Sequence, residues 1–476
     1  MRATIPDLRG QTKEISVSNN LSSSNPYLTG SLGGVFARTA LPIIIVMGMN
    51  GAVTLIDALF LGLYVGPEAL GAVTLMFPIF MLLVALSTLV SAGMASQVSR
   101  ALGAGNHDDA RATFVGAHGL AFLICCVLIA AFSVVGTGMA RLFAGSAGQM
   151  ADMGHTYISI MIVASPIMFT LSLNSDAMRS EGHLGLMAGI SLLVSALNIV
   201  FNYVLIARLE FGVAGSAYGT VLAQLVAFAS VIAYRTWGRT VIRPSAFLAH
   251  GLHVRWRATL ALGIPPSLNF LGVSLVSAAV LASLQLVDSS QYGETVSAYG
   301  IITRITTFVI LPLLGLSQAM QAIVGNNYGA ELWHRSNRGL GLAIAVALAY
   351  CLLVEAALIT FASRIGYMFV DDASVVAEIV RIMPVMVSMF AIGGPLLLLA
   401  NYFQAIGKVA QAALLGLTKP YLFAIPLVFL MPKLFGEVGI WWAGPVAELC
   451  LLLLAVVTLN NARKRQALKW GLFRQA

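Results

Sequence analysis

Long apolar segments alternate with short polar breaks along the whole chain. A helix needs about 20 predominantly apolar residues to cross a bilayer, and most of these segments reach that length. We predict twelve spans, near residues 34–64, 67–98, 111–141, 151–178, 183–207, 212–236, 258–287, 295–325, 338–363, 375–405, 409–432 and 438–460. The pattern indicates an all-α integral membrane protein, and the even number of spans places both termini on one side.

The most polar interior break separates six spans from the next six. We expect an N-terminal tail and a six-helix bundle, then a linker, a second six-helix bundle and a basic tail, at residues 1–30, 31–237, 238–256, 257–462 and 463–476. The halves resemble each other: the segment beginning at Phe211 returns at Phe435, and the segment at Met94 returns at Met320, with offsets of 224 and 226 residues. Six spans are an even number, so the halves are parallel repeats related by a pseudo-two-fold axis along the membrane normal.

Composition agrees with this class and limits the functions. The chain is 59% hydrophobic and only 10% charged, whereas soluble domains carry about 25% charged residues. Its net charge of +8 comes from Lys and Arg concentrated in the loops on the side of both termini, which is the positive-inside pattern of cytoplasmic loops. We therefore expect cytoplasmic termini and no nucleic-acid partner. The four cysteines lie in apolar segments without metal-ligand spacing, as small packing residues do.

Four polar residues in spans of the first half lie at similar depth. Asp57 is on the first span, Asn198 and Asn202 are on the fifth, and Thr220 is on the sixth. The helical rise puts all of them roughly 8 to 14 Å below the outer surface. The amides and the hydroxyl could simply join helices, but a carboxylate at the same level favours a functional cluster of oxygen donors.

Other in-span carboxylates are weaker candidates. Glu448 has a basic neighbour along the chain only in the far tail, and Glu355 has no obvious partner, so either could have a coupling role or a plain polar contact. Asp176 and Arg179 are spaced to pair with each other on one helix. The sequence contains no nucleophile elbow, phosphate loop or metal motif, so we predict neither an enzyme nor a cofactor.

Several segments resemble the multidrug and toxic compound extrusion (MATE) family over essentially the whole chain, and are closest to the MepA-like bacterial exporters. They are "LIDALFLG", "SALNIVFNYVLIARLEFGVAGSAYGT", "QAIVGNNYGAELWHRSNR" and "NYFQAIGKVAQAALLGLTKPYLFAIPL". The resemblance implies a V-shaped pair of six-helix bundles in a bacterial cytoplasmic membrane. Such a protein would export cationic amphipathic compounds in exchange for H⁺ or Na⁺ by alternating access, and nothing requires more than a monomer.

The resemblance also implies roles for particular residues. Asp57, Asn198 and Thr220 match the family's first-bundle cation site, and Pro42 matches a proline at which the first helix bends. Many members have an aspartate where this chain has Asn202, so the cluster has one carboxylate instead of two. A single carboxylate can exchange one H⁺ by titrating, so we predict proton coupling over Na⁺ binding at this cluster.

The substrate cavity is less well defined by the sequence. Its candidates are in-span polar residues of the first half that could equally serve helix packing: Asn50, Asn174, Tyr218 and Gln224. The main alternative function is a lipid-linked precursor flippase of the same superfamily, which would need a strongly basic central cavity. The in-span cations are Arg304, Arg381 and Lys419, all in the second half.

Overall fold

The computed structural model describes residues 25–144, 148–238, 240–287, 292–466 and 472, and within them it is helical throughout its spans. Among these described residues, ten helices are long and apolar enough to cross a membrane, and the number rises to twelve when each of two bent helix pairs is counted as one span. The twelve predicted spans are therefore confirmed.

The helices are labelled α1 to α12 in chain order, with broken helices given as two parts. Those of the first half are α1 (Leu32–Phe60), α2 (Phe77–Gly103), α3 (His107–Ala144), α4 (Gly148–Val163 and Ser165–Glu181), α5 (Leu184–Asn202) and α6 (Gly212–Trp237). Those of the second half are α7 (Trp256–Leu286), α8 (Tyr292–Gly329), α9 (Trp333–Thr360), α10 (Ala373–Val387 and Phe390–Ala405), α11 (Val409–Leu417, continued by the π-helical Thr418–Ala424 and by Ile425–Leu430) and α12 (Glu437–Gln466).

Both halves contain a bent helix at the same position. The two parts of α4 meet at 51° and those of α10 at 45°. The break in α4 falls at Ala164, where Pro166 is the second residue of the new part and needs no hydrogen-bonded N–H. The break in α10 falls at Ser388, which follows Ala164 by the offset of 224 residues seen in the sequence. The shared bend supports an internal duplication.

Pro42 also has a counterpart in the second half. It lies inside α1, and Pro266 lies inside α7 at the same offset of 224 residues. In this structure α1 runs as one helix through Pro42, so the predicted bend there stays a prediction about another state.

The two bundles contact each other through helices that are related by the pseudo-two-fold axis. Helix α1 packs on α8, its counterpart α7 packs on α2, and α2 packs on α8. We call the side at which α1 begins and α12 ends the terminal face, and the other side the opposite face. Near the terminal face, a Cβ on Gly103 would overlap the carbonyl of Asn326, and one on Gly329 would overlap the carbonyl of Arg100. Each of the two residue pairs is the image of the other at the offset of 226, so the axis passes between α2 and α8 here.

Hydrogen bonds join the bundles at the terminal face. Arg100 Nη1 donates to the carbonyl of Ala405 at 3.0 Å, and Ser96 Oγ donates to the carbonyl of Gln404 at 2.5 Å. The backbones approach too closely there for a side chain between them, so the bundles are tightly packed at this face.

The predicted N-terminal tail is shorter than the sequence indicated. Tyr27 is fully buried and its hydroxyl donates to the carbonyl of Arg179, while Asn25 Nδ2 donates to Asn326 Oδ1 at 2.9 Å. The prediction of a tail is therefore wrong for residues 25–30, which pack on the terminal face because these polar groups find partners in both bundles. Residues 1–24 lie outside the described part of the chain.

The linker packs against the first bundle. Ile242 is buried, Arg111 Nε donates to the carbonyl of Val241 at 3.0 Å, and Trp256 Nε1 donates to the carbonyl of Gly116 at 2.8 Å. Helix α12 continues to Gln466, so it includes the start of the predicted basic tail; most of that tail lies outside the described residues.

Candidate functional site

The structure brings the four predicted first-bundle residues together as a hydrogen-bonded chain. Asn202 Nδ2 donates to Asp57 Oδ1 at 2.5 Å and to Asn198 Oδ1 at 3.3 Å. Asn198 Nδ2 donates in turn to Thr220 Oγ1 at 3.0 Å. The chain therefore links α1, α5 and α6 inside the membrane-spanning region, and we call it the Asp57 cluster.

Close packing of α5 on α6 holds the amides in place. Asn198 and Asn202 are one turn apart on α5, and both are buried. Gly219 allows the approach, because a Cβ on Gly219 would overlap the amide oxygen of Asn202. That oxygen, Oδ1, is buried and has no hydrogen-bond partner within the described residues. The amide of Asn202 thus has its nitrogen satisfied and its oxygen free.

A cavity of about 200 Å³ lies in the first bundle, between the Asp57 cluster and the terminal face. Two of the predicted cavity residues, Asn50 and Gln224, line it. Serine hydroxyls and flexible Met side chains complete its wall, the remaining lining residues being Leu171, Ser172, Ser175, Met178, Met187, Ile190, Ser191, Val194 and Val231.

The other two predicted cavity residues lie elsewhere. Asn174 is buried, and its Oδ1 accepts a hydrogen bond from Arg235 Nε at 2.6 Å. Tyr218 is 46% exposed and shares an outward stripe of α6 with Leu222 and Leu225, as lipid-facing residues do. The structure thus places Asn174 in a buried network and Tyr218 on the outer surface of the bundle.

The secondary candidates both have partners that the sequence did not reveal. Glu448, which is buried, forms an ion pair with Lys419 on the neighbouring helix α11. Glu355 Oε2 accepts a hydrogen bond from the N–H of Ala391 at 2.7 Å, at the start of the second part of α10. Such an N–H lacks a partner within its own helix, so Glu355 satisfies a backbone donor at the break.

A second in-span cation is also neutralised. Arg381 Nη2 lies 2.5 Å from carboxylate oxygens of both Glu378 and Glu437. Glu378 is three residues before Arg381, a spacing that could have predicted the pair, whereas Glu437 is brought from α12 by the fold. The pairing of Asp176 with Arg179 is confirmed at 3.1 Å.

Comparison with known proteins agrees with the duplicated fold. The family model MatE matches residues 42–204 and 266–430, two stretches that begin 224 residues apart and end 226 residues apart. A protein named FAD transporter from Shewanella oneidensis is 25% identical over 438 residues, covering 89% of this chain and 93% of its own. A multidrug export protein MepA from Staphylococcus saprophyticus is 24% identical over 415 residues, covering 86% and 90%.

Solved structures have the same fold. One is described as an outward-facing conformation of a multidrug resistance MATE family transporter of the MOP superfamily, with a TM-score of 0.81 and 21% identity. Another is a MOP superfamily transporter from Pyrococcus furiosus, also with a TM-score of 0.81 and 21% identity. Each covers 90% of this chain and 96% of the solved chain. With both halves matched by the family model and the twelve-helix, two-bundle fold in place, this chain belongs to the MatE family of multi-pass membrane transporters.

Proposed function

We propose that the protein is a secondary active exporter of cationic amphipathic compounds that is driven by H⁺, with Asp57 as the group that carries the proton. The observation that carries this proposal is the Asp57 cluster, in which a single in-span carboxylate holds three helices together through two buried amides. We further propose that the protein acts as a monomer in a bacterial cytoplasmic membrane, with the terminal face in the cytoplasm.

Protonation of Asp57 would change the contacts of the cluster. An ionised carboxylate accepts the N–H of Asn202, whereas a protonated one also donates and needs an acceptor. The free acceptor beside it is Oδ1 of Asn202, which can face Asp57 only if the amide turns. Turning the amide withdraws Nδ2 from Asn198 and so loosens the link to Thr220. Proton binding would in this way alter the packing of α1, α5 and α6.

A change in the packing of these helices would also change the cavity that they line. Its volume of about 200 Å³ is smaller than the roughly 300–1,000 Å³ typical of pockets for drug-sized ligands. Helices α1, α5 and α6 carry three of its polar residues, Asn50, Ser191 and Gln224, so moving these helices would enlarge or close it. Competition between H⁺ and substrate for this bundle would couple the two fluxes.

The cluster favours H⁺ over Na⁺. A bound metal cation needs several oxygen ligands directed at it. Here an amide nitrogen faces the carboxylate, and the oxygens of Asn198 and Thr220 already accept N–H groups. The flippase alternative is also less favoured, because two of the three in-span cations, Arg381 and Lys419, are paired with Glu side chains, which leaves Arg304 alone to face a pyrophosphate headgroup.

The test is transport in proteoliposomes. Ethidium movement would be driven by either a pH gradient or a Na⁺ gradient, with wild type, Asp57→Asn and the control Asp371→Asn, whose carboxylate is exposed in a loop at the opposite face. We expect transport driven by the pH gradient in wild type and the control, and its loss in Asp57→Asn. Transport driven only by Na⁺, or unchanged transport in Asp57→Asn, would contradict the proposal.

A further inference from the structure

Arg304 differs from the other in-span cations of the second bundle. Within the described residues it has neither a hydrogen bond nor an ion pair, and its side chain is exposed. It lies twelve residues after the start of α8 at Tyr292, roughly 18 Å along the helix axis. A charged side chain at membrane depth faces a water-filled space or a partner, because exposure to hydrocarbon is costly.

The face of α8 that carries Arg304 points at the first bundle. Phe308 and Leu311 follow it by four and seven residues, so the three side chains share one face of the helix. Side-chain atoms of Phe308 and Leu311 lie 3.7 and 3.5 Å from the Cβ position of Gly51 on α1. Arg304, one turn nearer the opposite face, is therefore directed into the space between the bundles.

The depth of Arg304 matches that of the Asp57 cluster. Gly51 marks the level of Phe308 and Leu311, and α1 and α8 run in opposite directions. Asp57 lies six residues beyond Gly51 on α1, and Arg304 lies four residues before Phe308 on α8, so both are roughly 6 to 9 Å nearer the opposite face. Within the described residues no ion pair joins them, and Asp57 accepts a hydrogen bond from Asn202.

The neighbours of Arg304 suit an aromatic ligand. Phe308 is 47% exposed although its ring lies between the bundles, and Thr307 beside it is also exposed. A guanidinium presents a planar fork that matches a carboxylate or phosphate, and an exposed ring offers a face on which an aromatic body can stack. The three side chains thus offer a cation, a hydroxyl and a ring on one helix face.

We propose that Arg304, together with Phe308, binds the anionic group of amphipathic aromatic substrates in the space between the bundles. The ligand class is an aromatic zwitterion, in which a cationic ring system carries a carboxylate or phosphate. This inference rests on the proposed exporter function and narrows its substrate class.

The experiment compares two dyes that differ only in this group. Rhodamine 110 carries a free carboxylate, and rhodamine 123 is its methyl ester. Their dissociation constants would be measured by fluorescence anisotropy with the protein in phosphatidylcholine nanodiscs, for wild type, Arg304→Gln, Arg304→Lys and the control Arg364→Gln. Arg364 is an exposed cation at the opposite face, outside the spans.

The readout is the preference for the free carboxylate, expressed as the dissociation constant of rhodamine 123 divided by that of rhodamine 110. We expect Arg304→Gln to lower this ratio about tenfold, the size of one charge-assisted hydrogen bond. Arg304→Lys should lower it about threefold, because Lys keeps the charge without the planar fork. Arg364→Gln should leave it unchanged. An equal ratio in wild type and Arg304→Gln would overturn the proposal, and Arg304→Lys provides the same test if the Gln variant does not fold.

Two further measurements distinguish a lipid headgroup from a soluble substrate at Arg304, and a failure of this inference from a failure of the proposed function. If phosphatidylglycerol added to the nanodiscs abolishes the wild-type preference, the anionic group at Arg304 is a lipid headgroup and the proposal of a soluble substrate is overturned; a retained preference supports it. Ethidium transport driven by a pH gradient would be followed in the same variants. Intact transport with an unchanged dye ratio overturns this inference alone, whereas absence of such transport in wild type overturns the proposed function.

Discussion

Replacing Gly219 with alanine should disrupt the Asp57 cluster although none of its four side chains is changed. The added Cβ would overlap the amide oxygen of Asn202, which is buried between α5 and α6. The amide can relieve the clash only by moving, and any movement strains or breaks its bond to Asp57. A methyl group added to α6 would thus alter the Asp57 cluster.

The magnitude follows from two opposing effects. Losing a hydrogen bond to a charged group, or overpacking a tight contact, costs about 1.5–3 kcal/mol. Replacing glycine inside a helix by alanine returns up to about 1 kcal/mol. We therefore expect Gly219→Ala to be net destabilising by about 0.5–2 kcal/mol.

Gly189→Ala on α5 is the matched control, because a Cβ there meets nothing within 4 Å. Thermal unfolding of the purified protein, followed by tryptophan fluorescence, and ethidium transport driven by a pH gradient would be compared for both variants. We expect a lower Tm and impaired transport for Gly219→Ala, with Gly189→Ala at or above the wild-type Tm and fully active. If Gly219→Ala matched Gly189→Ala in both measurements, the cluster would not depend on this contact and the reasoning would be refuted.

Substitutions at three other polar contacts provide further tests. Glu355→Leu leaves a backbone N–H of α10 without an acceptor and should lower the free energy of unfolding by about 1–3 kcal/mol. Glu355→Gln keeps an acceptor and should retain transport, and loss of transport in this variant would instead indicate a coupling role. Lys419→Met and Glu448→Gln should each lower the free energy of unfolding, by less than the roughly 3–5 kcal/mol lost when a fully buried pair is broken, because Lys419 is 42% exposed. The double variant should be less destabilised than the sum of the two single variants, and strict additivity would show that the pair does not interact. Asn174→Ala removes an acceptor of the buried Arg235 and should lower the Tm with little change in dye affinity, and the reverse result would return Asn174 to the substrate cavity.

Depth in the membrane was predictable from the sequence for a local reason. Each span is a contiguous apolar run, and a helix rises by a fixed amount per residue, so the position of a residue along the chain gives its level. This was enough to place Asp57, Asn198, Asn202 and Thr220 at one level, where the structure indeed joins them by hydrogen bonds. The duplication was predictable for the same reason, since it is a repeat along the chain.

Orientation about each helix axis, and the identity of the neighbouring helix, were decided only by the tertiary structure. Asn174 and Tyr218 have suitable depth, yet packing turns one toward Arg235 and the other outward. The pairing of Lys419 with Glu448 likewise depends on α11 lying beside α12. The sequence by itself thus determined the class, the spans, the repeat and the level of the residues in the Asp57 cluster. Because hydropathy reports burial in lipid or protein alike, only side-chain packing could decide which groups at that level meet.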